Sequence, residues 1–518
     1  MKKILSSGAS RILVGVIGVE FVSGVLGAYY TPLIVPLARS VGLHDSDWNW
    51  VEAAQTLFAA VAIPVLTKLG DRFGHKKALL ASIVITAAAA WWVVAGGGFV
   101  PVICAFSLMS VSAVWLALEL ALLRSALGET TDSAERISSA SAALIVAFMF
   151  GSVGAAIFGG QFFTGAGGWD ALQTAVDSGQ DPAANAVFAR VLRLTLLVPA
   201  TGVTILIPLV ALLVPESRRP ARRRGDRAGL ASLIGILVLV VGGLSLVKIQ
   251  GVGRPLGWIV IALGLALIYP FVRHQLAAAE PTIDPRLLRR AEVWPYQAAS
   301  LLLGIGYTAT QIPLVTFAST DPAKHGYGLA ADSGDVSIVM AVMIIAISLT
   351  AGFLTAFGSR LDKLRLIRVA PFVHAGEFVV FLFLHTQLWH AYLAVAIGGV
   401  GAGILIAWLP AAAANAAPRG KTATLVGLIS LGRMVGTALG SAVFAVVLAT
   451  VGRQSATAAA LPGYLTVFAI AIGSSLLGGT LLLGARDPAR AGTEPAIARR
   501  GAKTSNLKTE TDNGEDHG

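Results

Sequence analysis

Charge is scarce in this 518-residue chain. Asp, Glu, Lys and Arg together make up 13% of it, against about 25% in ordinary soluble proteins. With a hydrophobic fraction of 55%, too little polar surface remains for a water-soluble fold, and the composition points to a polytopic membrane protein. Cysteine is scarcer still. Cys104 stands alone, which excludes an intramolecular disulfide and any cysteine-based metal site; inside an apolar run it reads as a small buried residue. The net charge of +11 raises nucleic acid as a partner. However, no basic stripe interleaved with aromatics occurs, and the cations collect in short segments between apolar runs, where membrane topology accounts for them. The apolar run that follows the basic start is too long for the core of a secretory signal and reads as an uncleaved first helix.

A bilayer demands about 20 mostly apolar residues per helix, and helices are the natural way to satisfy every backbone polar group in lipid. Runs of that kind fall at residues 12–38, 48–69, 78–95, 102–123, 139–163 and 191–214, then at 228–247 and 256–272. Six more fall at 294–317, 336–357, 369–384, 389–414, 424–447 and 464–483. The fold class is therefore all-α, with fourteen transmembrane helices arranged as six, two inserted and six. Lys and Arg concentrate in alternate loops, from Lys68, Arg72, Lys76 and Lys77, through Arg124 and Arg136, to the cluster Arg218–Arg227. The series continues through Arg273, Arg286, Arg289 and Arg290, Arg360 to Arg368, and Arg419 with Lys421. That bias places both termini in the cytoplasm of a cell-membrane protein. The expected units are a six-helix half at 1–215, a basic linker with two inserted helices at 216–292, a second six-helix half at 293–484, and a disordered polar tail at 485–518. The inserted pair carries no distinctive polar residue and is expected at the periphery.

The loop between the second and third runs reads Leu66-Thr-Lys-Leu-Gly-Asp-Arg-Phe-Gly-His-Lys-Lys77. A second copy, Leu354-Thr-Ala-Phe-Gly-Ser-Arg-Leu-Asp-Lys-Leu-Arg365, repeats Leu, Thr, Gly and Arg at the same offsets, so the chain contains two related halves, a hallmark of secondary transporters. The turn from Gly70 through Asp71, Arg72 and Gly74 to Lys77 resembles the signature between the second and third helices of the major facilitator superfamily. The hydropathy pattern resembles its fourteen-helix drug:proton antiporter (DHA2-like) branch. Thr67 stands where that family usually has Gly, and His75 where it usually has Arg. The resemblance implies an antiporter of multidrug-efflux type, associated with antibiotic resistance, in which Asp71 and Arg72 lock the halves together on the cytoplasmic side. It also implies that the first and fourth helices line a central cavity. Gly151, Gly154, Gly159 and Gly160 resemble the glycine-rich antiporter motif of helix five, without its Pro, and the Arg of the family's helix-four motif is absent.

Ionisable groups inside a membrane helix cost on the order of 2.5 to 3.5 kcal/mol each at the helix centre, so they are the first candidates for function. Glu20 lies in the first run and Glu119 in the fourth. A carboxyl group in a partly dry cavity beside a like charge can take up and release a proton near neutral pH, as proton coupling requires. His374 and Glu377, one turn apart in the eleventh run, read as a pair satisfied within their own helix. Arg433 lies among Gly432, Gly436 and Gly440, whose four-residue period makes a flat packing face; gating and structural roles both fit it. Tyr29, Tyr30, Trp115, Tyr307, Gln311 and Trp408 are the polar or aromatic candidates for a cavity wall.

Together these features describe a proton-driven exporter of a small amphipathic, possibly cationic compound, working by alternating access. The expected partners are protons, a small molecule and the lipid bilayer, without nucleic acid; the expected state is a monomer needing no metal and no cofactor beyond the proton gradient. Export of a lipid or an endogenous metabolite with different coupling is the alternative, kept open by the missing Arg and Pro. A polyprenyl-dependent membrane glycosyltransferase is a remote third, prompted by His44-Asp-Ser-Asp47 in the first outer loop, and a receptor or scaffold is equally remote.

Overall fold

The computed structural model describes residues 7–127, 131–216, 226–251, 253–278, 285–288, 290, 293–415, 422–452, 455 and 457–485. Thirteen helical segments among them are long and apolar enough to cross a membrane. In chain order, with one more helix between the sixth and seventh of them, they are α1 (Arg11–Ser40), α2 (Trp48–Phe73), α3 (His75–Ala95), α4 (Phe99–Ala126), α5 (Ser139–Gly165) and α6 (Ala186–Leu213). Then come α7 (Arg227–Gln250), α8 (Pro255–Ala277), α9 (Trp294–Ala318), α10 (Ser333–Phe357), α11 (Lys363–Phe383), α12 (Leu388–Asn415), α13 (Leu425–Thr450) and α14 (Leu461–Leu483). The additional helix is α7, whose apolar stretch Ala231–Val247 is shorter. All fourteen expected helices are thus present. Proline accounts for two irregularities: α1 breaks at the 3-10 turn Thr31–Leu33 over Pro32, and α9 breaks where Pro313 withholds a backbone N–H; α4 passes through a 3-10 stretch at Ser110–Val114 without one. The basic cluster 218–225, Arg289, Arg419, Lys421 and the tail from 486 lie outside the described residues.

Two halves are legible in the packing. α1 packs on α5 and α6, α2 on α4, and α3 on α4 and α6; α9 packs on α13 and α14, α10 on α12, and α11 on α12 and α14. Each contact in the first set recurs in the second, eight helices later. The two principal cross-half contacts, α5 with α10 and α2 with α13, exchange under the same operation, as a pseudo-twofold axis requires. Glycine sets the closest contacts identically in both halves. A Cβ on Gly24 would overlap the Phe148 carbonyl and one on Gly151 the Phe21 carbonyl; a Cβ on Gly304 would overlap the Arg433 carbonyl and one on Gly436 the Leu301 carbonyl. The repeated loop is equivalent in space as well, since Gly70 sits against Leu118 of α4 and Gly358 against Trp408 of α12.

The inserted α7–α8 hairpin lies outside the two halves, against the seam where they meet. Ile236, Val240 and Leu244 of α7 and Phe271 of α8 form one apolar cluster with Trp50 and Ala53 of α2 and Ala445 of α13. Cys104 departs from expectation: it is exposed on the outside of α4. In a membrane helix every face is apolar, so an apolar run cannot distinguish a buried position from one turned outward.

Candidate functional site

A cavity of about 350 Å3 lies between the halves, within the size range of small-molecule sites. Its walls come from α1 and α5 on one side and α9, α10, α12 and α13 on the other. Most of the lining is apolar and soft, with Met149, Met340 and Met343 against Phe148. Thr31 and Ser152 are the polar residues on the α1 and α5 side; the larger polar groups are on α9 and α13, with Tyr307 and Gln311 one turn apart on a single helix face and Ser430 and Arg433 on the neighbouring helix. On α12, Leu405 to Pro410 belong to the half nearer the Gly70–Lys77 loop, as do Ile429 to Arg433 on α13. The cavity therefore extends from mid-depth toward the end of the molecule that carries this loop.

The other end, called here the far end, is held shut across the halves. Gln161 donates to the Gly334 carbonyl at 3.0 Å, and the Gly334 N–H donates to Thr164 at 3.0 Å. Ser441 donates to the Asn49 carbonyl at 2.8 Å. Asp45, 2% exposed, is the hub: its N–H donates to the Thr457 carbonyl at 3.0 Å. Its Oδ2 accepts from Tyr464 at 3.0 Å and from the Ala459 N–H at 3.4 Å, while Oδ1 pairs with Arg39 of its own half at 2.5 Å. Asp47 accepts from the His44 N–H at 2.9 Å. Asp45 is therefore engaged in closing the far end and Asp47 in holding its own loop, which leaves no free acidic pair of the kind a glycosyltransferase presents.

Glu20 and Glu119 are brought together, but not in this cavity. Val16 of α1 and Leu123 of α4 share an apolar cluster, and in antiparallel helices one turn onward from Val16 and one turn back from Leu123 are Glu20 and Glu119. Each acts electrostatically on the other. Glu119 is 0% exposed and Glu20 4%; both Glu119 oxygens and Oε2 of Glu20 lack a hydrogen-bond partner. Leu118, the neighbour of Glu119, is the residue that packs on Gly70, so the acid pair and the signature loop share one contact. The lining of the cavity includes neither acid.

The loop itself is open. Asp71, with a side chain 67% exposed, lies 3.1 Å from His75, and Arg72 stacks over the Phe73 ring at 5.0 Å; neither bonds across to α13 among the described residues. Gly74 adopts φ +108°, a conformation open to glycine, with the Glu216 carboxylate where a Cβ would stand. Of the cavity candidates, Tyr307 and Gln311 line the cavity. The others pack elsewhere: Tyr29 donates to the Thr195 carbonyl at 2.8 Å, Tyr30 meets Phe106 edge-on, Trp115 donates to Ser82 at 3.0 Å, and Trp408 lies under Lys363. His374 and Glu377 share a buried face without bonding each other. His374 reaches Ser475 of α14 at 3.2 Å and Glu377 accepts from Thr310 of α9 at 2.8 Å, because neighbouring helices present hydroxyls closer than the next turn does. Sequence reasoning passes over Glu52, which sits near the start of α2. It accepts from Thr56 at 3.0 Å and from Gln55, and its position inside an otherwise apolar run was the available signal.

Comparison with known proteins agrees with this architecture. A family model described as Major Facilitator Superfamily matches residues 16–441. A curated relative, the probable actinorhodin transporter of Streptomyces coelicolor, is 24% identical over 258 residues, which cover 47% of this chain and 42% of that protein, less than half its length. Among solved structures, the peptide transporter POT in complex with sulfate is similar with a TM-score of 0.64 at 14% identity, covering 92% of this chain and 94% of that one. The nucleoside transporter NupG is similar with a TM-score of 0.59 at 13% identity, covering 92% and 98%. At such identities the likeness shows the fold.

Proposed function

The chain belongs to the Major Facilitator Superfamily and is a transporter rather than an enzyme, and from that premise we propose that it is a proton-coupled secondary transporter exporting small amphipathic compounds by alternating access. The observation that carries this reading is the Glu20–Glu119 pair. Two carboxyls buried together, with no cation acting on them among the described residues, repel when both are ionised, so a shared proton is the cheapest state and its release requires a change of surroundings. The contact of Leu118 with Gly70 ties the pair to the loop expected to move. Coupling would then run through α4.

In this reading the basic loops face the cytoplasm of an inner or plasma membrane, both termini are inside, and the closed far end with the open loop corresponds to an inward-facing state. Asp71 and Arg72 would engage α13 only when the cytoplasmic side closes. The unit boundaries at 215, 292 and 484, a monomeric state, and membership of the fourteen-helix drug:proton branch belong to the same reading. Export of an endogenous metabolite is the second reading, favoured by the actinorhodin relative.

The test uses the full-length protein in proteoliposomes containing a pH-sensitive dye, screened with lipophilic cations, neutral drugs and amphipathic acids. A transported compound should move protons in the wild type, and Glu20→Gln or Glu119→Gln should abolish that movement while leaving substrate exchange. Proton movement at the normal rate in the double variant would refute the assignment.

A further inference from the structure

The cavity described above has a two-sided character that the acid pair does not explain. Its soft wall of methionines, one half of the six in the chain, suits an apolar body of variable shape. Its polar wall has a single charge, and that charge is positive. Among the described residues no carboxylate lies within ion-pair distance of Arg433, and neither the Tyr307 hydroxyl nor the Gln311 amide has a hydrogen-bond partner in the protein. The Arg433 guanidinium is close enough to Tyr307 to act on it electrostatically, so the three polar groups face one region. Glu52 and Glu377 also lie within electrostatic reach of Tyr307, but neither lines the cavity. Their carboxyls are engaged by Thr56 and Thr310.

A guanidinium without a counter-ion, in a cavity with apolar walls, lacks a partner that a ligand can supply. A carboxylate or an equivalent enolate or sulfonate matches its planar fork with paired hydrogen bonds, and Tyr307 and Gln311 add donors that an anionic head accepts. A cation placed there would meet like charge, and no acid of the lining would answer it. We propose that the cavity between the halves takes amphipathic anions, with the acidic head held by Arg433, Tyr307 and Gln311 of the second half and the apolar body against the methionine wall. This assignment rests on the transport reading and deepens it: it names the cargo class, and it separates the cargo site on α9 and α13 from the proton site on α1 and α4.

Equilibrium binding to the full-length protein in nanodiscs tests it, with three probes that share one body and differ in the head: pyrenebutyrate, pyrenebutyramide and pyrenebutyl-trimethylammonium. Binding is read by energy transfer from tryptophan to pyrene, after subtraction of empty nanodiscs. The acid should bind at least tenfold more tightly than the amide or the ammonium, a difference of about 1.4 kcal/mol. Arg433→Gln should bring the acid to the affinity of the amide, and Arg433→Lys should keep most of the preference. The proposal is overturned if the wild type binds the ammonium as tightly as the acid, or if the acid preference survives Arg433→Gln. Should the Gln variant fail to fold, the ranking of the three probes on the wild type decides. Binding is measured without a proton gradient, so it can fail while proton coupling through Glu20 and Glu119 holds, and the reverse.

Discussion

Replacing Asp45 by Asn should loosen the far end by an amount that the structure allows to be worked out. The side chain is almost fully buried, and Asn keeps its shape. The Arg39 pair lies within one half, so it persists whether the far end is open or shut and drops out of the difference. What crosses between the halves is the Tyr464 hydroxyl on Oδ2 at 3.0 Å and the Ala459 N–H at 3.4 Å. A hydrogen bond to a charged group contributes about 1.5–3 kcal/mol and a neutral one about half that. Loss of the charge therefore costs about 1 kcal/mol at the shorter contact and about half as much at the longer one. The sum, about 1.5 kcal/mol, is roughly a tenfold shift toward the open far end. With Cys104 replaced by Ser, spin labels at Ser178 and Ala323 would bracket the Asp177–Lys324 contact, and their distance distribution reads the opening directly. Asp45→Asn should enlarge the long-distance population about tenfold. An unchanged distribution would mean that Asp45 does not hold the halves together.

Other consequences follow from close approach and from charge. Gly151→Ala, whose Cβ would overlap the Phe21 carbonyl, should lower stability in detergent by about 1–3 kcal/mol, whereas Gly154→Ala, with nothing within 4 Å, should be neutral or gain up to about 1 kcal/mol; equal thermal shifts for the two would contradict the packing of α1 on α5. Burial pushes the Asp226 carboxyl up, but the bonds it accepts from His274, the Gly229 N–H and Gln275 outweigh burial and hold it down at about 2. Because about 3.9 is usual in an unfolded chain, its contribution to holding α7 against α8 is complete above about pH 4 and lost as the pH falls toward about 2. Thermal scans should accordingly show a steeper loss over that range for the wild type than for Asp226→Asn, and parallel curves would count against the cap.

The sequence by itself determined the number of helices, their positions within a few residues, and the two-half plan, because bilayer-length apolar runs and a repeated charged loop are one-dimensional signals. It also marked Glu20, Glu119 and Arg433, because a charge in an apolar run stands out wherever it points. Only the tertiary structure decided where these groups face. Cys104 turns outward, Trp115 and Tyr29 bond to neighbouring helices, His374 and Glu377 find separate partners, and Arg433 enters a cavity that both acids avoid. The physical reason is that lipid and protein interior are equally apolar, so a membrane helix has no polar face to report its rotation, and rotation is settled by glycine contacts and hydrogen bonds from residues far apart in the chain.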